Sequence, residues 1–183
     1  MASLVLGCAS LSASAVFNSN QPYTVQIDYA QSISDSLQGG GYNWVDKQVN
    51  DADFPDSTTG TASLTAVLVP YDTSMSIDAF TKAQADAGYR PATLKELLAF
   101  GKANPDLQKD APIIALGTTA QIPETLFRSG MDTNAASMSA GAVRVEEQLY
   151  PYLGKEMFGR TVNLAWPGDF ESYTNYYALM IKK

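Results

Sequence analysis

The 183 residues contain no histidine, and Cys8 is the only cysteine. That removes the usual general base, the Ser-His and Cys-His nucleophile pairs, any Cys/His zinc site and any disulfide within the chain. What is left for chemistry is carboxylates, one arginine–glutamate pair and a run of aromatics. Arg90 and Glu96 can be read as an acid–base pair, but the position of Glu96 gives it a structural task instead, set out below. Asp169 and Glu171 share a loop and could approach Ca²⁺, yet two carboxylates fall short of the roughly six to eight oxygens that calcium takes, so a solvated turn accounts for them. A carboxylate-based hydrolase remains as an alternative; it would need a convergent pair drawn from Asp46, Asp53, Asp169 or Glu171. Gly39-Gly40-Gly41 lacks the Lys-Ser/Thr that a phosphate-binding loop requires. No cofactor or metal is expected.

The aromatics are more informative. Trp166, Phe170, Tyr173, Asn175, Tyr176 and Tyr177 fall within twelve positions. Tyr and Trp supply large, rigid contact area and Asn supplies adaptable hydrogen bonds, the chemistry of a binding surface. A ligand- or partner-binding set of Trp166, Asp169, Phe170, Glu171, Tyr173, Asn175 and Tyr176 follows. The competing reading is that alternate aromatics fill a core on one strand face, and both stand at this point.

The elements that would position these residues centre on Gly88 to Phe100. Gly88 can take the left-handed conformation that closes a preceding helix. Pro91 holds Arg90 extended. Thr93 then caps a new helix, and Glu96 three residues on completes a capping box. Leu94, Leu97 and Leu98 form that helix's apolar stripe. The preceding helix is predicted over Ile77–Ala87, capped by Ser76, with Ile77, Phe80, Ala83 and Ala87 inward; Asn104-Pro105 ends the second.

Elsewhere, Tyr23 to Tyr29 alternates apolar and polar residues as a half-buried strand does. Ser32 to Leu37 reads as a short capped helix stopped by the three glycines, and Asn43 to Val49 as another, with Trp44, Val45 and Val49 inside. Asp51 to Thr61 is a loop, and Leu64–Val69 and Ile113–Leu116 are strands. Gln121 to Ala142 is a surface excursion whose Met131 and Met138 suit adaptable contacts; Val143 to Leu149 is open between strand and helix. Thr161–Trp166 and Tyr176–Ile181 are strands, predicted to form a terminal hairpin around 167–172. Val25-x-Ile27-x-Tyr29-x-x-Ser32 echoes Val67-x-Val69-x-Tyr71-x-x-Ser74, each a strand, a tyrosine and a serine-capped helix. Two copies are too few for a solenoid.

The length suits a single domain over 23–183, with an N-terminal arm over 1–22. Met1 to Phe17 is small and apolar but lacks the basic region of a signal peptide and the length of a membrane span. A cytoplasmic location, or a virion surface, is expected. Net charge is −7, from 19 acidic and 12 basic residues, with no basic cluster, so nucleic acid is disfavoured as a partner. Charged residues make up only 17%, which leaves a neutral polar surface of the kind used for recognition or assembly.

Gly88-Tyr89-Arg90-Pro91-Ala92-Thr93-x-x-Glu96-Leu97-Leu98-Ala99 resembles the Arg-Leu-Pro-Thr-x-x-Glu-Trp segment of C-type-lectin-like domains, as found in formylglycine-generating enzymes and retroelement-diversified phage and bacterial proteins. With Pro112-Ile113-Ile114-Ala115-Leu116-Gly117, Pro151-Tyr152-Leu153 and the apolar ending Tyr177 to Lys183, it is also similar to a set of small uncharacterised bacterial and phage-type proteins. The first resemblance implies the fold over about 76–183, the second over about 23–183 (boundaries approximate,). The enzyme activity does not carry over, because its active-site cysteines are missing from this region. In the diversified proteins the ligand face lies in this part of the chain, although their Gly-Phe-Arg ending is absent. The lectins' calcium motifs, Glu-Pro-Asn and Trp-Asn-Asp, are absent too.

The expectation is an α+β, C-type-lectin-like domain with a twisted, mainly antiparallel sheet and two main helices. Its expected function is non-enzymatic recognition or assembly, binding a partner protein or glycan and self-associating, without membrane insertion. A structural or decoration subunit of a virion or similar particle is the alternative.

Overall fold

A computed structural model describes residues 21–120, 148–171 and 175–183. The expected arm Met1–Phe17, the excursion Gln121–Ala142, most of 143–149 and Tyr173 lie outside the described residues. The rest is α+β: a mixed, mostly antiparallel sheet with three helices. The strands are β1 (Tyr23–Asp28), β2 (Trp44–Val45), β3 (Thr61–Pro70), β4 (Tyr89–Pro91), β5 (Ile113–Ile114), β6 (Tyr150–Glu156), β7 (Gly159–Ala165) and β8 (Tyr177–Lys182). The helices are α1 (Ile33–Gly40), α2 (Ile77–Asp86) and α3 (Leu94–Ala103). Strand order is β1-β3-β8-β5-β6-β7-β2.

The C-terminal strand is therefore internal. β8 runs antiparallel to β3 along one edge, and its other edge is shared by β5, parallel at Tyr177–Ala178, and β4, antiparallel at Met180–Lys182. Burial on both faces explains its unbroken apolar run: Ala178 and Met180 face one core cluster, Leu179 and Ile181 the other. The expected terminal hairpin is not formed. β7 pairs with β6 and β2, whereas β8 pairs elsewhere; the tight turn lies at Met157-Phe158, between β6 and β7. Adjacency in sequence suggested the hairpin, and a nonlocal register overrode it.

The Gly88–Phe100 stretch behaves as its local chemistry dictates. Gly88 has φ 88°, β4 follows, and Thr93 caps α3 in a complete capping box, with Thr93 N donating to Glu96 Oε2 at 2.8 Å. Leu94, Leu97, Leu98 and Phe100 are buried against the sheet, each contributing roughly 2 kcal/mol relative to exposure. α1 is capped by Ser32 and ends at Gly41, φ 65°. It packs beside α3 on the same face. α2 lies on the opposite face and buries only Phe80, while Ile77 is half-buried and Ala83 and Ala87 are exposed, contrary to the expected stripe. The helix expected over Asn43–Val49 is absent. Asn43 N and Asp46 N donate to Arg160 O and Val162 O, which makes Trp44–Val45 a short parallel strand with Trp44 exposed. The echoed strand–tyrosine–helix units hold, but their capping serines are Ser32 and Ser76, two positions out of step.

Candidate functional site

α1 and α3 cover one face of the sheet. On the other, α2 reaches β3, β4 and β8 through Phe80, and the neighbouring face of β6 and β7 carries Tyr150, Tyr152, Thr161, Asn163 and Ala165. Two clefts open on this second face. One, of about 360 Å³, lies between the start of α2 and Pro167-Gly168; Tyr71, Thr73, Met75, Gln148 and Tyr150 are among its walls. The other, of about 280 Å³, is bounded by Tyr152, Tyr176, Thr161, Asn163, Glu156 and Gln108.

The first cleft adjoins the loop singled out from sequence. Pro167–Glu171 forms a 3₁₀ turn, closed by Trp166 N donating to Asp169 Oδ2 and Asp169 N donating to Trp166 O, both at 3.0 Å. Asp169 is thereby a turn-capping residue. Trp166 is half-buried and Asn175 exposed. For Phe170 and Glu171 only the backbone turn is described. Tyr176 does not join an exposed rim: it is 3% exposed and meets Tyr152 edge to face at 5.7 Å. Strand alternation turns Tyr176 into the core beside Ala178, and Tyr177 to the opposite face. Of the described aromatics in this run, Tyr176 is core and Trp166 and Tyr177 are half-buried.

Across the cleft, Tyr71 Oη donates to Met75 O at 3.3 Å and its ring meets Phe80 at 5.0 Å. Tyr150 Oη donates to Gln148 Oε1 at 2.6 Å. Burial, with a smaller contribution from Asp78, pushes the Tyr150 phenol up. The walls are therefore phenols, the hydroxyls of Thr73 and Ser76, an amide, a thioether and the aliphatic Ile77 and Pro167, with Asp78 as the charge in the first turn of α2. Such a surface can hydrogen-bond and stack, but it offers no matched acid and base.

Elsewhere, Glu96, Asp46 and Asp53 have hydrogen-bond partners. Glu96, 1% exposed, accepts from Arg90 Nη1 (2.9 Å) and Nη2 (2.6 Å), Tyr29 Oη (2.5 Å) and Thr93 N (2.8 Å). Burial would raise its pKa, but these hydrogen bonds outweigh it and hold the carboxyl below its ordinary value. Burial and Glu96 together push Tyr29 up to about 12. With both oxygens saturated, Glu96 serves as an anchor and not as a base. Among the other carboxylates considered, Asp46 accepts from Gln48 N and Asp53 from Asn50 Nδ2. No group of three or more metal-ligating side chains occurs among the described residues, nor a helix long and apolar enough to cross a membrane.

One organising residue was missed. Arg160, on β7, donates from Nη1 to Gly40 O (2.6 Å), from Nη2 to Gly101 O (2.7 Å) and from Nε to Gln108 Oε1 (3.1 Å). Gln108 Nε2 in turn donates to Gly154 O at 2.6 Å and Thr161 O at 3.3 Å. A cation placed at the C-terminal ends of α1 and α3 complements both helix dipoles. Its acceptors are scattered through the chain, so no local signal revealed it.

No family model matches the chain, and neither a curated protein nor a solved structure matches it.

Proposed function

We propose that the protein is a non-enzymatic recognition module of C-type-lectin-like type, binding a partner protein or glycan. The succession of α2, β4 and α3 and the internal C-terminal strand support the fold reading. The observation that carries the functional one is the tyrosine-lined cleft beside Pro167–Glu171, about 360 Å³ in volume. That is a small-ligand size, and its mainly uncharged hydroxyl, amide and aromatic lining, with Asp78 as the charge, suits a glycan better than a flat protein face. The test is an array of neutral oligosaccharides probed with the wild-type chain and with Thr73→Arg, which places a bulky cation at the exposed rim. Binding by the wild type that Thr73→Arg abolishes at unchanged melting temperature supports the reading; binding unaffected by Thr73→Arg removes the cleft from it.

A second reading, as a structural or decoration subunit of a virion or similar particle, is favoured by one observation. Met157 (88% exposed), Phe158 (71%) and Trp44 (46%) gather where the β6–β7 turn meets β2. Three large exposed apolar side chains at one corner suit contact with a neighbouring copy. Concentration-dependent mass in light scattering that Phe158→Ser and Met157→Ser abolish would support it.

A further inference from the structure

We propose that the second cleft, about 280 Å³ between the β6–β7 face and residues 108–112, binds a primary ammonium group carried on a short alkyl stem. The site lies apart from the cleft beside Pro167–Glu171 and does not depend on the glycan reading. Its shape comes from Gly154. On β7, Thr161 stands opposite Gly154 and Asn163 opposite Tyr152. Opposed residues share a face, so a side chain at position 154 would fill the space among these three. A Cβ there would lie 3.2 Å from Tyr152 Cε2 and 3.4 Å from Thr161 Oγ1. The glycine leaves that floor open.

The floor is edged by hydrogen-bond acceptors. Asn163 is only 7% exposed, and its Nδ2 donates to Glu156 Oε1 (2.9 Å) and Thr161 Oγ1 (3.2 Å). A carboxylate only accepts, so the first of these bonds fixes which end of the amide is which. Asn163 Oδ1 and Glu156 Oε2 accept no hydrogen bond among the described residues. Of the unpartnered side-chain nitrogens and oxygens there, only Tyr42 Oη is closed to solvent, so Asn163 Oδ1 opens to the cleft that it lines. Gln108, 1% exposed, spends its amide on Arg160, Gly154 O and Thr161 O. Asp110 adds a second, exposed carboxylate at the mouth. Of the two lysines at the rim, Lys109 is paired with Asp106 at 2.5 Å, and Lys155 alternates onto the face of Leu153.

Acceptors without matching donors call for a ligand that only donates. An ammonium has three donors and no acceptor. Guanidinium fits less well: its strong pairing is a fork onto both oxygens of one carboxylate, and Glu156 Oε1 is already engaged by Asn163. Single acceptors on separate residues suit a point charge instead. Ala111, Pro112 and the ring of Tyr152 form the apolar side of the same cleft, against which an alkyl stem can lie. The volume is at the lower end for small-molecule sites, so the stem is short. The chain's net charge of −7 favours capture of a cation from a distance.

n-Butylammonium chloride and n-butylguanidinium chloride, titrated separately into the labelled full chain at fixed ionic strength, test the assignment through amide chemical shifts. n-Butylammonium should give saturable shifts at residues 108–112, 154–156 and 161–163 and at the Asn163 side-chain amide. Its affinity should exceed that of n-butylguanidinium at least about threefold. Glu156→Gln keeps an oxygen for Asn163 Nδ2 but removes the charge, and should weaken n-butylammonium at least about tenfold at unchanged melting temperature. Asp78→Asn, in the other cleft, should leave that affinity unchanged. Equal affinity in Glu156→Gln would mean a general attraction to an acidic surface and overturns the proposal. Guanidinium binding as tight as ammonium binding, or no saturable shifts at these residues, overturns it on the wild type alone, with no variant needed.

Discussion

Arg160 lies with its guanidinium carbon 4.7 Å above the ring of Tyr42, while its Nη1 and Nη2 hold the carbonyls of Gly40 and Gly101. One side chain thus joins the last turns of two helices to the sheet. Replacing Arg160 by Ala strands three acceptors and should cost about 2–4 kcal/mol. Arg160→Lys should recover little, since a single ammonium lacks the fork that reaches Gly40, Gly101 and Gln108 together. Urea unfolding measures both, and a lysine variant as stable as the wild type would contradict the geometric argument.

Tyr42 itself carries a cost. Its hydroxyl is buried with no hydrogen-bond partner among the described residues, and burial, partly opposed by Arg160, pushes its pKa up to about 12. Removing an unsatisfied buried hydroxyl is neutral or favourable, so Tyr42→Phe should change stability by between zero and about +1 kcal/mol. The folded pKa lies above the ordinary 10.0, so the wild type loses stability as pH rises from there towards about 12. Tyr29, raised to about 12, adds to the same alkaline loss. Tyr42→Phe should therefore flatten part of the alkaline decline in melting temperature.

Glu96 works in the opposite direction. Its folded pKa is below the ordinary 4.5, so its stabilisation is present above that value and is lost as pH falls through the lowered folded pKa. Glu96→Gln should cost about 1–3 kcal/mol at neutral pH, because it weakens the charge-assisted hydrogen bonds from the partly exposed Arg90 and from Tyr29. The same variant should shrink the gap in urea midpoint between neutral pH and about pH 3. A gap as large as in the wild type would mean that other carboxylates drive the acid transition.

Gly101 packs where no Cβ fits: one built there would lie 2.4 Å from Tyr42 Oη and 2.5 Å from Leu153 Cδ1. Gly101→Ala should destabilise by about 1–3 kcal/mol through overpacking. Tyr42→Phe should relieve part of that loss, since it removes the nearer atom. Additive effects in the double-mutant cycle would show that the contact is not shared.

What was legible in the sequence was local. Thr93 and Glu96 are three residues apart, so α3 and its cap could be read directly, as could Ser32, Ser76 and the turn at Gly88. β2 was not legible, because Trp44–Val45 is a strand only through bonds to Arg160 and Val162, more than a hundred residues away. The β7–β8 hairpin was misread for the same reason. Of the aromatic run, loop placement followed from Pro167-Gly168. The inward turn of Tyr176 depended on β8 lying mid-sheet with cores on both faces, and alternation within one strand carries no record of that.

The most direct test of the recognition reading is residue-resolved. Amide chemical shifts of the labelled chain should be followed while the best-binding neutral oligosaccharide is titrated in. Binding through the proposed cleft predicts saturable shifts confined to residues 71–78, 148–150 and 166–169, with the cleft at Thr161 and Asn163 unmoved. Saturable shifts centred on another surface, or no saturable shifts with any neutral oligosaccharide, would contradict it.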